Sequence, residues 1–507
     1  MRWRFLSPTT DASERTESRP GQTPSILRLD TRSLAAARVL LGLVLVVDAA
    51  LRASKAGSVL AADGMLPPEL ARRFVGHPWS WSLAFVGDGV WSGMASLLLE
   101  GLAGVLLAAG IATPVSTTVA WVAVVSVVRR TAPMTNAGDV FLAGLLFWGQ
   151  FLPWGTRWSW DARRRGAVGA ASVQGLAAAA ILLQVAAVYL SAGWGKWNDV
   201  WRSGDAVAYA LSVHDHGTYV GDWIAASGVP ARLLTWATML LETVGPPLLL
   251  VGRARLPLVA VFIAFHAAIA VTMDVCLFPW VGAAAWITLL PGTFWDRLMP
   301  GSAGGATLTA PRGTAGRIAC IASLGVAAAA FLSANGPWAR PLPTALARAV
   351  QLTFLEQDWR VFGEIRRQRQ WVYAAAQLAD GSSVDLLRRG RPVEAVLPAG
   401  GFHAVEDQRL QKLLWELPKP DRRPFAAHVA AVLAREWNAG RPAGRQAVAV
   451  ELRGARMLEG SEDGVIQDVL LAAWPGRSPT GRGGLDRFLR GKEGIGGGAE
   501  EPAAVPE

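Results

Sequence analysis

The stretch that decides the fold is Leu176-Ala-Ala-Ala-Ala-Ile-Leu-Leu-Gln-Val-Ala-Ala-Val-Tyr-Leu-Ser-Ala-Gly-Trp194, followed by Gly195 and Lys196. It carries no formal charge and has the length, about 20 residues, that an α-helix needs to cross the hydrocarbon core of a bilayer. Comparable apolar stretches lie near 33–51, 91–111, 113–128, 138–154, 172–194, 229–251, 256–277, 279–295 and 315–334. They predict a polytopic α-helical membrane protein with about nine transmembrane helices. The whole composition agrees. Of 507 residues, 52% are hydrophobic and 17% charged, and the mean hydropathy is +0.29; a soluble domain carries about 25% charged residues.

Four segments are expected. Residues 1–32 are polar and hold six Arg; with no apolar core they read as a disordered cytoplasmic tail, not a cleaved signal. Residues 33–334 form the transmembrane bundle. Residues 335–476 are richer in charge. Period-2 runs at Trp371–Leu378 and Ala447–Leu452 predict strands, and helices are expected near 405–417 and 423–439, giving a small C-terminal α+β soluble domain. Residues 477–507, rich in Gly, Pro, Glu and Arg, read as a disordered tail.

Orientation follows from Arg and Lys in short loops. With the N-terminus inside, inside segments hold 14 and outside loops 9, including Arg52, Arg129 and Arg130. This places the C-terminal domain outside the cytoplasm. The Trp residues clustered near helix ends, such as Trp79, Trp148, Trp194 and Trp201, suit a membrane interface. The net charge of +10 comes from 44 Arg against 5 Lys and forms no basic stripe interleaved with aromatics, so nucleic acid is not an expected partner. Cys276 and Cys320 lie in or beside apolar stretches and form no disulfide framework or metal knuckle.

Ionisable residues inside a bilayer are expensive and need a reason. The candidates are Arg38, Asp48, Glu100, Asp139, Glu242, His266 and Asp274. Arg38 and Asp48 stand about 15 Å apart along a helix and do not pair directly. Such groups either glue helices together or line a polar cavity. Lys196 stands out in a chain that uses Arg almost everywhere. A lysine can act as a base when desolvated, whereas an arginine cannot; the alternative is a lysine that snorkels from a helix end. His266 is either a packing residue or a catalytic one. His214 and His216 lack a third ligand, so no metal site is expected. His77, His403 and His428 read as surface or packing residues. No phosphate-binding glycine loop, zinc-protease helix or serine-hydrolase elbow is present.

The string Tyr189-x-x-Ala-Gly193-x-x-Lys196-x-x-x-x-Trp201-x-x-Gly204 resembles a segment of the vitamin K-dependent γ-glutamyl carboxylases and of the related bacterial membrane proteins, the HTTM family. Further similar segments follow the same order. They are Arg38 to Arg52, Thr135-Asn-Ala-Gly-Asp139, Phe151-Leu-Pro153, Trp158-Ser-Trp-Asp161, the Phe-His266 pair, Leu290-Pro-Gly-Thr-Phe-Trp-Asp296 and Trp359-Arg-Val-Phe362. The resemblance spans about residues 33–455. It implies an extracytoplasmic C-terminal domain and a lysine base at Lys196 that starts oxygenation of a reduced quinone (vitamin K or menaquinone-like), with O2 and CO2 consumed as a substrate Glu is carboxylated. His266 joins Lys196 as a catalytic candidate. Asn136, Asp139, Glu100, Glu242, Tyr189 and Trp201 are the expected cofactor-binding or cavity-lining residues. The sequence departs from the carboxylases at Gly138, near which they have a His, and in lacking their outer disulfide.

Two functions compete. One is an enzyme that modifies an exported peptide or small molecule at the outer face of the lipid bilayer. The other is a non-catalytic binding or maturation factor for an exported peptide or lipid. A transporter ranks below both, because no inverted repeat or matched pair of broken helices is visible.

Overall fold

The structure is a computed structural model. It describes residues 27–475 except 88, 167–168, 213–216, 302–304, 336–339, 366–367, 395–404, 406 and 459–466. His214, His216 and His403, most of the segment before residue 33, and residues 477–507 lie outside the described residues.

Helix α1, Thr31–Ala53, opens on a cap: the Asp30 carboxylate accepts from the Arg32 backbone N–H at 2.8 Å, satisfying one of the amides that a helix start leaves unpaired. Helices α2 (Val90–Ala109), α3 (Thr113–Arg130), α4 (Ala137–Gly149), α5 (Leu176–Gly195), α6 (Val229–Leu248), α7 (Arg255–Thr272), α8 (Phe278–Ile287) and α9 (Thr314–Asn335) follow. Each apolar stretch of the sequence thus contains a helix. Five of them have both the length and the apolarity of a crossing: α1, α2, α5, α7 with the turn before it, and α9. This is fewer than the nine expected, for local reasons. At 1.5 Å per residue, the 13 residues of α4 reach about 20 Å and the 10 of α8 about 15 Å, short of a hydrocarbon core of about 30 Å. Helix α3 is interrupted by Ser and Thr and ends on Arg129 and Arg130. Helix α6 joins the short helix Tyr219–Ala225 at a bend of 100°, the geometry of a broken span or a re-entrant loop.

The outer faces of these helices are apolar and carry no protein cover: Leu98, Leu102 and Val105 on α2, Leu233 and Leu240 on α6, and Ile318 and Leu332 on α9 are all exposed. Continuous faces of this kind belong against lipid, not water. The chain is a multi-pass membrane protein.

Helix α1 packs closely against α2. A Cβ added at Gly42 would lie 2.7 Å from the Gly104 carbonyl oxygen, and one at Gly104 would lie 2.8 Å from that of Gly42. Small residues allow this approach where the hydrophobic effect gives no drive between helices. At one end of the bundle, three short strands, β1 (Leu29–Asp30), β2 (Ser172–Gln174) and β3 (Thr307–Thr309), form a sheet in the order β1-β2-β3. Arg32, beside β1, pairs with Asp30 and Asp296 there at 2.8 and 2.9 Å. Asp274 lies beyond the end of α7 and is exposed, so it is not an intramembrane charge.

The opposite end carries the C-terminal domain. An antiparallel sheet in the order β5-β4-β6-β7 is built from β4 (Gln368–Leu378), β5 (Ser383–Asp385), β6 (Ala447–Leu458) and β7 (Gln467–Trp474). Helices α10 (Gln408–Glu416) and α11 (Ala426–Asn438) pack on it through Leu413, Leu414, Val429 and Leu433. Before β4, the segment 354–363 turns back into the bundle. Phe354, Leu355 and Trp359 join the bundle core, and a buried chain of side chains links Trp148, Gln184, Gln357 and Trp359 at 2.8–3.1 Å.

Two outcomes test this packing. Gly42→Leu forces α1 and α2 apart and is expected to cost about 1–3 kcal/mol, read as a lower unfolding temperature of the detergent-solubilised protein, while Leu43→Ala on the exposed face leaves it nearly unchanged. In the C-terminal domain, burial pushes the Glu416 carboxyl up, but Lys412 and Lys419 pull it further down, to a net value below the ordinary one. A depressed carboxyl stabilises the fold above its unfolded value of about 4.3, and that contribution is lost as pH falls through the folded value. Glu416→Gln should therefore flatten the acid limb of stability between about pH 5 and about pH 3, measured by thermal unfolding across that range.

Candidate functional site

Helix α5 ends in Gly193-Trp-Gly-Lys196, and the chain turns through Asn198 to Trp201. Gly193 lets α6 approach: a Cβ there would lie 2.7 Å from the carbonyl carbon of Glu242. This brings the Lys196 ammonium to 2.6 Å from Glu242 Oε2, with side chains 3% and 8% exposed. The ammonium also donates to the Val361 carbonyl at 2.8 Å and to the Ala192 carbonyl at 3.3 Å, and sits 5.0 Å from the Trp201 ring centroid. Its partners are one carboxylate in ion-pair contact and two carbonyl acceptors. Two neighbours extend the grip on the same segment: Asn198 Nδ2 donates to the Gly363 carbonyl at 2.7 Å and Trp201 Nε1 to the Phe362 carbonyl at 2.9 Å. Three consecutive carbonyls of the 361–363 strap are thus held by the end of α5. Phe362 adopts the left-handed conformation, φ 54°, a strained geometry for a non-glycine residue.

Lys196, Glu242, Tyr189 and Trp201 line one cavity of about 280 Å³, whose other walls are apolar and include Val188, Phe265, Ile269 and Phe362. His266 stands behind it. Tyr189 Oη lies 2.5 Å from His266 Nε2, so the hydroxyl separates the imidazole from the cavity. His266 Nδ1 has no partner among the described residues, and aromatic rings of Phe265 and Phe278 pack around it.

Glu100 and Asp139 belong elsewhere. Asp139 forms a buried network with Asp48, Arg52 and Arg409. Arg52 reaches Asp48 and Asp139, each at 2.8 Å, and the Thr131 hydroxyl at 2.9 Å. Arg409 of α10 enters from the C-terminal domain and reaches Asp139 at 2.8 Å and Asp48 at 2.5 Å. Asn136 and Asp139 cap α4 reciprocally. Glu100 is fully buried near this network, and neither carboxylate oxygen has a hydrogen-bond partner among the described residues. Arg38 does not pair with Asp48; it donates to the carbonyls of Leu107, Ala108 and Trp158.

Arg409 carried no mark in the sequence, and the strap was marked only as the Trp359-Arg-Val-Phe362 segment of the resemblance. The sequence reading also placed Arg52, Arg129 and Arg130 in outer loops, whereas all three are buried at helix ends. The i, i+4 spacing of Asp48 and Arg52 was the available signal for the first; nothing local pointed to Arg409, whose partners are 270 and 361 residues away.

Asn136, with Asn198, Arg360, Lys412 and Lys419, lines a wider groove of about 1070 Å³ that shares Val361 and Phe362 with the Lys196 cavity. The strap is the wall between an apolar chamber and a polar groove.

Removing one member of the buried pair should be worse than removing both. Lys196→Met leaves the Glu242 carboxylate buried and unpaired, at an expected cost of about 3–5 kcal/mol, whereas Lys196→Met with Glu242→Leu restores most of the stability. Thermal unfolding of the single and double variants in one detergent checks this.

Residues 94–293, from within α2 to just beyond α8, match the family model of the HTTM domain. No curated protein and no solved structure matches the chain. The helices that carry the Lys196–Glu242 pair and the Tyr189–His266 contact all fall within the matched region, and the chain carries an HTTM domain.

Proposed function

We propose that this protein is a membrane enzyme of the carboxylase-like kind, in which Lys196 acts as a base toward a reduced quinone at the outer membrane face and the product step modifies an exported peptide or small molecule. The observation that carries the proposal is the placement of Lys196: a buried amine at the wall of a largely apolar chamber, paired to a single carboxylate. The residues suit a quinone ring. The chamber, about 280 Å³, is near the lower bound of small-molecule pockets, about 300 Å³, and Val188, Phe265 and Ile269 offer it apolar contact. A reduced quinone bound there would supply, with O2 and CO2, the redox and carboxylation chemistry that amino-acid side chains lack.

The chain's own residues perform the proton handling. A base needs a neutral amine. Transfer of one proton from the Lys196 ammonium to the Glu242 carboxylate, 2.6 Å away, gives a neutral amine–acid pair, which carries no charge to desolvate. The amine can then accept a proton from an acidic hydroxyl in the chamber. The Val361 and Ala192 carbonyls hold the nitrogen in place, and Trp201 closes the chamber beside it. Tyr189, fixed by His266, sets the opposite polar wall. The groove beyond the strap is polar, with Arg360, Lys412 and Lys419 balanced by Asp358 and Glu416, and gives a polar peptide segment a place within one wall's thickness of the chamber. The C-terminal domain forms part of that groove, which suits an extracytoplasmic orientation with the N-terminus in the cytoplasm.

One observation favours the second reading, a non-catalytic binding or maturation factor: Lys196 is already held by a counter-ion and two carbonyls, as in a purely structural pair. Turnover separates the two. Purified protein supplied with reduced menaquinone and air should form the quinone epoxide, detected by chromatography and mass spectrometry, and Lys196→Met should lower the rate by about 10²-fold or more. The folded double variant, Lys196→Met with Glu242→Leu, should be equally inactive. Absence of epoxide from the wild type, or unchanged turnover in the double variant, rejects the enzyme reading.

A further inference from the structure

A separate cavity of about 510 Å³ lies where α1, α2 and α3 meet the C-terminal domain. Leu51, Leu97 and Val127 line it from the bundle, and Leu386, Leu387 and Leu433 from the domain. It shares no lining residue with the Lys196 chamber.

Its charge is unbalanced. Arg52 and Arg409 line it but are neutralised by Asp48 and Asp139. Asp407, also on the wall, is committed to capping α10 through the N–H groups of Arg409 and Leu410. Arg130 differs. It is 1% exposed, and its guanidinium donates to the carbonyls of Leu66 and Leu60, both at 2.8 Å, with no carboxylate partner among the described residues. A guanidinium has five N–H donors in a planar fork, so the carbonyls orient it without neutralising it. A buried cation without a counter-charge attracts an anion, and the fork matches a carboxylate. Lys55 adds positive charge to the lining, against Asp274.

We infer that this cavity binds an acidic single-chain amphiphile, a long-chain carboxylate whose head meets Arg130 and whose tail lies along the leucine walls. The bilayer beside α2 presents such molecules, and apolar walls with one oriented cation discriminate them from neutral chains and from short anions.

The test uses the intact protein in a neutral detergent with cis-parinarate, a fluorescent fatty acid, as the probe. Palmitate should displace it, while hexadecanol (chain without charge) and acetate (charge without chain) should not. Arg130→Gln should weaken palmitate displacement by about tenfold or more. Because that variant also perturbs two loop carbonyls, Leu387→Trp provides a second arm: it fills the cavity from the domain side and should abolish probe binding while leaving Arg130 in place. Equal displacement by hexadecanol, or unchanged palmitate binding in both variants, overturns the inference, as does failure of the wild type to bind the probe.

Discussion

A buried ammonium must have a counter-charge and acceptors, and the way Lys196 meets this requirement organises much of the molecule. Glu242 supplies one partner, the counter-charge, from α6, which requires the backbone contact that Gly193 permits. Ala192 supplies another from within α5. The third comes from Val361, in a segment that follows the last long helix and must fold back to reach it. Once Val361 is held, Asn198 and Trp201 bind the next two carbonyls, and the returning chain becomes the wall between chamber and groove. One charge thus fixes a helix pair, a strap and the shape of two cavities.

The second buried charge group works at the junction with the C-terminal domain. Arg52 and Arg409 stand between Asp48 and Asp139, so four charges cancel within hydrogen-bond distance. Because Arg409 comes from α10, the domain is locked to the bundle by an ion-pair network as well as by apolar contact. Such a network is strongly directional: an isolated member would be left buried without its counter-charge. Glu100, buried beside it with no hydrogen bond among the described residues, lies outside this balance.

The sequence showed the membrane character, the strands at Trp371–Leu378 and Ala447–Leu452, and the two helices that became α10 and α11, because length, apolarity and period are local properties. It singled out Lys196 through the scarcity of lysine, and it named Glu242, Tyr189 and Trp201 around it. It also grouped Glu100, Asp139 and His266 with them, since an intramembrane ionisable residue looks alike whichever cavity it faces. The structure divides that set. Tyr189, Glu242, Trp201 and Lys196 share a chamber, His266 supports it from behind, and Glu100 and Asp139 sit in another cluster.

By itself the sequence determined that this chain enters a bilayer many times, that a small mixed domain follows, and that one lysine is out of keeping with the arginine-rich remainder. These follow from transfer free energy and backbone periodicity, which act over about 20 residues or fewer. Only the tertiary structure decided which apolar stretches are long helices, which arginines are buried partners and not loop charges, and which segment returns to close the chamber. Those outcomes depend on acceptors and counter-charges supplied from up to 361 residues away, and pairing over such distances leaves no periodic mark in the chain.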